Sequence, residues 1–268
     1  MGTALVISLH RAGFDIAAVV GRTSSMKKAR ALAQQVRSHA TSGTAKVDAD
    51  VIWFCVPDSE IARAAQSWAI SSRGKGRVAL HSSGVLGSDE LAVLRRQGFA
   101  AASVHPLMTF VPGSRPLFAG VPFAIEGDPG AARVARRIVG DLGGRSYPVR
   151  KQDKAAYHAW GTFASPLFTA LLATTERVGA AAGVKSAEIR RRMIPILLQT
   201  LANYAEHGAP GAFSGPIVRG DTNTVKKHLR ALRGVKAARE VYAALARAAL
   251  QYLPAKNRRL LRQILDSE

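Results

Sequence analysis

Lys154 and His158 stand four positions apart, a spacing that places both on one face of a helix, with Tyr157 and Trp160 close by. Partial burial against those rings would lower a lysine pKa towards neutrality, and such a Lys and His pair could then give or take a proton. A solvated pair is the alternative. Three further clusters each follow an apolar run: Pro57-Asp58, His81-Ser82-Ser83-Gly84 and His105-Pro106. Each has an ordinary structural use, Asp58 as a helix cap, Ser82 to Gly84 as a turn, and His105 as a satisfied histidine before a rigid proline. Two histidines at the ends of consecutive strands are less readily explained that way and point to a ligand. In Arg219-Gly220-Asp221, the aspartate suits a helix cap and Arg219 an anionic substrate.

The elements that must position these groups alternate. Hydrophobic periodicity predicts helices over 2–12, 25–37, 58–68, 89–97 and 129–142, strands over 15–20, 51–56, 77–81, 99–105, 122–126 and 146–149, and a polar loop over 38–44. Strands alternating with helices imply an α/β fold, a parallel sheet covered on both faces. Ligands of such sheets bind beyond the carboxyl ends of the strands, where Asp58, His81 to Gly84 and His105 would lie. After Lys151 the strand signals vanish. Helices are predicted over 151–182, with a kink at Pro166, and over 186–206, 222–233, 237–253 and 255–266, with a loop over 207–220. The chain is therefore expected to divide near residue 150, into an α/β domain (1–150) and an all-α domain (151–268).

A doubly wound sheet usually opens with a strand and a G-x-G-x-x-G turn that holds a pyrophosphate at a helix N-terminus. Here Gly2 opens the first helix, and Gly21 closes the next strand 19 residues on, close to the usual distance from that turn to the ribose-binding position. Gly2 thus takes the place of the last motif glycine. The first strand and two earlier glycines are missing, which leads to the expectation that Met1 lies inside the motif. At the ribose position Arg22, Thr23 and Ser24 stand where an acidic residue would bind the hydroxyls of NAD, so the expected cofactor is NADP, with Arg22 on its 2′-phosphate. Lys154 and His158 beside a nicotinamide would handle the proton that accompanies hydride transfer.

Composition bounds the rest. The 268 residues allow one large or two modest domains, and the single cysteine, Cys55, excludes a disulfide scaffold or a cysteine-rich zinc site. No apolar run is long enough to cross a bilayer, and the N-terminus lacks the basic lead of a signal peptide, so a cytoplasmic protein is expected. Thirty-eight Lys and Arg against 18 Asp and Glu give a net charge of +20, split as +9 in residues 1–150 and +11 in 151–268. With 6% aromatic residues and no basic block interleaved with them, nucleic acid is not the favoured partner.

The ordered segments VVGRT, VPD, HSSG, VHPLMTF, FAIEGD, KAAYHAW and GPIVRGDTNTVKKHL resemble a family of NADP-dependent oxidoreductases with a Rossmann-like N-terminal domain and a helical C-terminal domain of unknown function. That helical domain is similar to those of 6-phosphogluconate dehydrogenase-like proteins. The resemblance runs over nearly the whole chain. It implies a nucleotide site at Gly2, Arg22, Pro57 and His81 to Gly84, and a cleft for a small substrate near His105, Lys154 and His158. In the wider group of β-hydroxyacid dehydrogenases a helix Lys followed four residues later by Asn acts on the substrate; Lys154 matches the first and His158 replaces the second. Ser165-Pro166 stands where this family usually has Ser-Asn. The expected activity is hydride transfer between NADP(H) and a small carbonyl, hydroxyl or imine compound, in a homodimer joined through the helical domain. A nucleotide-binding regulatory protein without turnover is the alternative, and a nucleic-acid-binding protein a more distant one.

Overall fold

The computed structural model describes residues 1–42, 47–69, 74–111, 113 and 117–267. Contacts divide it into two compact units, Met1–Ser165 and Pro166–Glu268.

The first unit contains α1 (Gly2–Arg11), β1 (Val19–Gly21), α2 (Met26–Gln35), β2 (Ala40–Ser42), β3 (Val51–Phe54), α3 (Ile61–Ala69) and β4 (Val78–His81). It continues through α4 (Ala92–Arg95), β5 (Ala100–Pro106), β6 (Pro122–Gly127), α5 (Pro129–Asp141), β7 (Arg145–Pro148) and α6 (Lys154–Thr162). β3, β4 and β5 pair in parallel, so their carboxyl ends face the same way. β6 then pairs antiparallel to β5, with β7 parallel to β6. The sheet is thus parallel through its first three strands and reverses at β6. The apolar pattern of 122–126 marks a strand but carries no direction, and a return without a crossover helix is free to pair antiparallel.

β1 and β2 form a separate two-stranded parallel sheet. β2 falls where a loop over 38–44 is expected: Ala40-Thr41-Ser42 has no apolar alternation and is a strand because its backbone pairs with β1. Residues 43 and 44 lie outside the described residues. Among the described residues no further strand pairs with β1 or with β3.

Alternation along the strands covers both faces of the larger sheet. Val78, Leu80, Val104 and Phe123 pack against Ala135, Ile138 and Val139 of α5 and Leu5 of α1. Ile52, Phe54, Ala79 and Ala101 pack against Ile61, Ala65 and Trp68 of α3 with Leu91 and Leu94. Each fully buried Leu, Ile or Val contributes on the order of 1.5–3 kcal/mol. These two layers hold the strand ends rigidly enough to position a site.

The second unit comprises α7 (Phe168–Ala181), α8 (Ser186–Ala212), α9 (Pro216–Arg219), α10 (Thr222–Ala231), α11 (Ala238–Tyr252) and α12 (Arg258–Asp266). The helix expected over 151–182 is interrupted by a π-turn at Phe163–Leu167 that contains Pro166, whose missing N–H cannot bond back to Thr162. α8 is two helices joined across Gly208, whose φ of 68° and ψ of 178° are not helical: the first stops beside the expected end at Glu206, and a short turn of helix reaches Ala212 within the expected 207–220 loop. Asp221 caps α10, its Oδ1 accepting the Thr224 N–H at 3.0 Å. Val225, Leu229, Ala246, Leu250, Leu261, Ile264 and Leu265 form the core beneath α10 to α12.

Candidate functional site

The end of β4 is built around a buried imidazole. His81 Nε2 donates to the Gly87 carbonyl at 2.9 Å, which leaves Nδ1 to accept the Ser83 N–H at 3.2 Å. Burial pushes its pKa down to about 4, so the ring stays neutral and serves as the template around which residues 82–87 fold. Ser83 Oγ accepts the Leu86 N–H at 2.9 Å and donates to Asp58 Oδ2 at 2.8 Å. Asp58 does not cap a helix as expected: Pro57 occupies the cap position of the turn Asp58–Glu60, with no side-chain cap bond, and the carboxylate instead ties the end of β3 to the loop after β4. Ser82 Oγ accepts the Trp53 indole N–H at 2.8 Å. Burial pushes the neighbouring Cys55 thiol up to about 12, which removes it as a nucleophile at neutral pH.

Lys154 enters this loop from the first turn of α6. It is 1% exposed, and its Nζ donates to Ser103 Oγ at 2.8 Å and to the Ser83 carbonyl at 3.3 Å. Ser103 Oγ donates to the same carbonyl at 3.0 Å. Burial lowers the Lys154 pKa to about 8, with Glu126 and Asp58 opposing the shift. Glu126 is itself held by the Ser88 N–H at 2.7 Å and the Ser88 hydroxyl at 2.9 Å. The i,i+4 spacing suggests one shared environment for Lys154 and His158, yet the structure separates them: Lys154 is sealed from solvent and His158 is exposed. Ser103 and Glu126, which the sequence does not single out, complete the network. Ser103 is the hydroxyl two residues before His105 on β5, and that alternation was its signal.

His105 Nδ1 lies 2.7 Å from the Tyr157 hydroxyl. Burial raises the Tyr157 pKa, so its phenol remains protonated and donates to Nδ1, leaving the His105 proton on Nε2. Burial, with His158 and Lys154 beside it, drives the His105 pKa down to about 4. His158 reaches the same place from α6, its ring centroid 5.9 Å from that of His105 at 75°. Both rings close over Gly84, where an added Cβ would lie 2.9 Å from His105 Nε2 and 2.5 Å from His158 Cδ2. The arrangement presents a neutral imidazole and an exposed one side by side, beyond the ends of two parallel strands.

The expected nucleotide end lies in the same unit. An added Cβ on Gly2 would meet Cys55 Cβ at 2.9 Å, the close approach of helix to strand that the last motif glycine provides. The first turn of α1 has no acidic residue and no side-chain cap, so its N–H groups are available to an anion. Arg22, Thr23 and Ser24 are exposed, and Arg22 Nη1 is 3.9 Å from Glu60 Oε2, a loose pair in a solvated setting. These residues fit a dinucleotide that carries an extra phosphate. Arg219 lies in the second unit, exposed at the end of α9.

Comparison with known proteins places residues 1–106 in a Rossmann-like domain model and residues 121–249 in DUF2520, a domain of unknown function. Two domain models thus match successive parts of the chain. No curated protein matches it. Among solved structures, a candidate NADP oxidoreductase from Bacteroides fragilis is 25% identical over 92% of each chain, with a TM-score of 0.76. A Thermotoga maritima protein is 22% identical, over 99% of this chain and 97% of that one, with a TM-score of 0.72. A reductive aminase from Aspergillus terreus, in complex with NADPH4, cyclohexanone and allyl amine, is 19% identical over 100% and 95%, with a TM-score of 0.62. The last two likenesses establish the fold, which this chain shares along nearly its whole length.

Proposed function

We propose that this protein is an NADP(H)-dependent oxidoreductase acting on a small carbonyl, hydroxyl or imine compound. The observation that carries the proposal is the convergence of His105 and His158 over Gly84, at the strand ends of a unit whose α1 N-terminus and Arg22 fit a phosphorylated dinucleotide. The solved relatives support it, since the Aspergillus terreus enzyme of this fold is in complex with NADPH4 and a ketone and amine.

NADP(H), when bound, supplies or accepts the hydride. Gly2 and the first turn of α1 hold the pyrophosphate, Arg22 with Thr23 and Ser24 holds the 2′-phosphate, and Pro57, Asp58 and the loop Ser82 to Gly84 border the nicotinamide ribose. His105, neutral and fixed by Tyr157, offers its Nε2 proton as a hydrogen bond to the substrate heteroatom. His158, the exposed ring of the pair, exchanges the proton with solvent. Lys154 acts as a positioning residue, its buried ammonium holding the Ser83 carbonyl and Ser103 so that loop and strand keep their register.

Arg22→Ala tests the cofactor assignment. NADPH binding is expected to weaken about 10- to 100-fold, the loss of one to two charge-assisted contacts, while NADH binding stays unchanged. Calorimetric titration of both nucleotides measures this, and equal losses for the two would remove Arg22 from the phosphate site.

The remaining assignments concern assembly and location. α7 buries no residue and α8 buries only Ile189, while Ile196, Leu198 and Tyr204 of α8 are 68%, 61% and 59% exposed. Exposed apolar area on this scale marks an interface, and the homodimer joined through the helical domain covers it. Sedimentation velocity of the full chain is expected to give a dimer; a monomer at micromolar concentration would refute the interface. Among the described residues no helix is long and apolar enough to cross a membrane, and the lone cysteine suits a reducing cytoplasm.

A further inference from the structure

The positive charge of this protein is concentrated at a scale that comparison of its two halves conceals. Residues 207–265 contain twelve Lys and Arg against two Asp and Glu, so this segment alone carries +10 of the chain's +20. Of its two acids, Asp221 is spent on the α10 cap and Glu240 lies in the first turn of α11. Several arginines elsewhere have carboxylate partners, Arg63 with Glu60, Arg95 with Asp89 and Asp128, Arg190 with Glu176 and Arg192 with Glu188, and within this segment Arg247 pairs with Asp266. Lys226, Lys227 and Arg230 on α10, Lys256, and Arg259 and Arg262 on α12 are all exposed. Among the described residues none of these six lies within ion-pair distance of a carboxylate.

Packing presents these charges outwards as a fixed surface. α10 and α12 bury Val225 and Leu229, and Leu261, Ile264 and Leu265, in one shared core, which turns their basic faces to solvent. The Lys256 N–H donates to the Val218 carbonyl at 3.1 Å, and the Asn257 side chain donates to the Gly220 carbonyl at 3.1 Å, tying the entry of α12 to the entry of α10. Arg258, Arg259, Arg262, Gln263 and Asp266 line one concavity, in which the Asp266 carboxylate is engaged by Arg247.

We propose that this basic face of α10 and α12 binds the phosphate backbone of duplex nucleic acid, without sequence preference. The apolar sides of both helices are already committed to the core, so neither has a face to insert into lipid. Arginine forks at i,i+3 and i,i+4 spacing match successive phosphates. Tyr252, 79% exposed, and the His228–Tyr242 ring pair adjoin this face, but a duplex keeps its bases stacked and presents its phosphates, so backbone contact is the mode of binding. The six residues of this surface all belong to the second unit, whereas Gly2 and Arg22 belong to the first.

The test is fluorescence anisotropy of two unrelated 20-base-pair duplexes with the full chain over a salt series. Six phosphate contacts predict a slope of log K against log salt of about −5 for both duplexes. The variant K226Q/R230Q/R262Q is expected to flatten that slope by about 3. The variant R133Q/R136Q/R137Q, which removes the same charge from exposed positions of α5, is expected to leave it unchanged. Equal losses in the two variants, no saturable binding of duplex, or tighter binding to vesicles containing phosphatidylserine than to duplex would each overturn the proposal.

Discussion

Replacing Gly84 with alanine is expected to lower kcat/KM about 100-fold in NADPH oxidation with cyclic imines and ketone and amine pairs, with little change in folding. The added methyl would sit 2.5 Å from His158 Cδ2 and 2.9 Å from His105 Nε2, separations that real Cβ atoms do not adopt. One ring or the loop must therefore move by about an ångström, and a displacement of that size at a reacting centre costs on the order of 10²-fold. His105 is held by Tyr157 at 2.7 Å, so His158, the exposed ring, yields first. The double variant Gly84→Ala/His158→Ala should lose less than the sum of the two single losses, because the 2.5 Å clash with His158 is then gone while the 2.9 Å approach to His105 Nε2 remains. Additive losses would mean that the loop itself had shifted, and full activity in Gly84→Ala would show that the two imidazoles do not share the reaction.

Replacing Lys154 with methionine is expected to change how stability responds to pH. In the folded chain burial brings the Lys154 pKa down to about 8, below the usual lysine value near 10.4. Below pH 8 both folded and unfolded states carry the proton, and the folded state bears the cost of a buried ammonium. Between pH 8 and about 10.4 the unfolded state binds more protons than the folded one, so stability rises with pH in that window. The full relief is about 3 kcal/mol. Lys154→Met removes the titrating group, so wild type should gain about that amount relative to the variant from pH 8 to 10.4, as read by urea denaturation at several pH values. A constant difference across the window would contradict the burial of the ammonium. Loss of the donor to the Ser83 carbonyl and Ser103 Oγ is also expected to reduce kcat at every pH, since the loop that carries Gly84 then keeps only the Ser103, Asp58 and His81 contacts.

The ends of β3, β4 and β5 were legible in the sequence because apolar runs stop abruptly at Asp58, His81 and His105, and a parallel arrangement carries those stops to one edge. The direction of β6 was not legible, since alternation fixes which face a side chain takes and not which way the strand runs. β2 escaped because three small residues, Ala40, Thr41 and Ser42, form a strand only through their pairing with β1. The pairing of Lys154 with His158 on one helix face was legible, but their opposite exposures were not: the first depends on Ser103 and the Ser83 carbonyl, which lie 51 and 71 residues away in the chain. Asp58 shows the same limit. Its position at a helix start suggests a cap, whereas the partner it finds is Ser83, on the neighbouring strand end.

The most direct test of the central claim is equilibrium titration of the full chain with NADPH and with NADH. Saturable binding of one NADPH per chain, at least about tenfold tighter than NADH, is the predicted result, because a single phosphate contact of Arg22 contributes about 1.4 kcal/mol or more. Equal affinity for the two nucleotides, or no saturable binding of NADPH, would contradict the account.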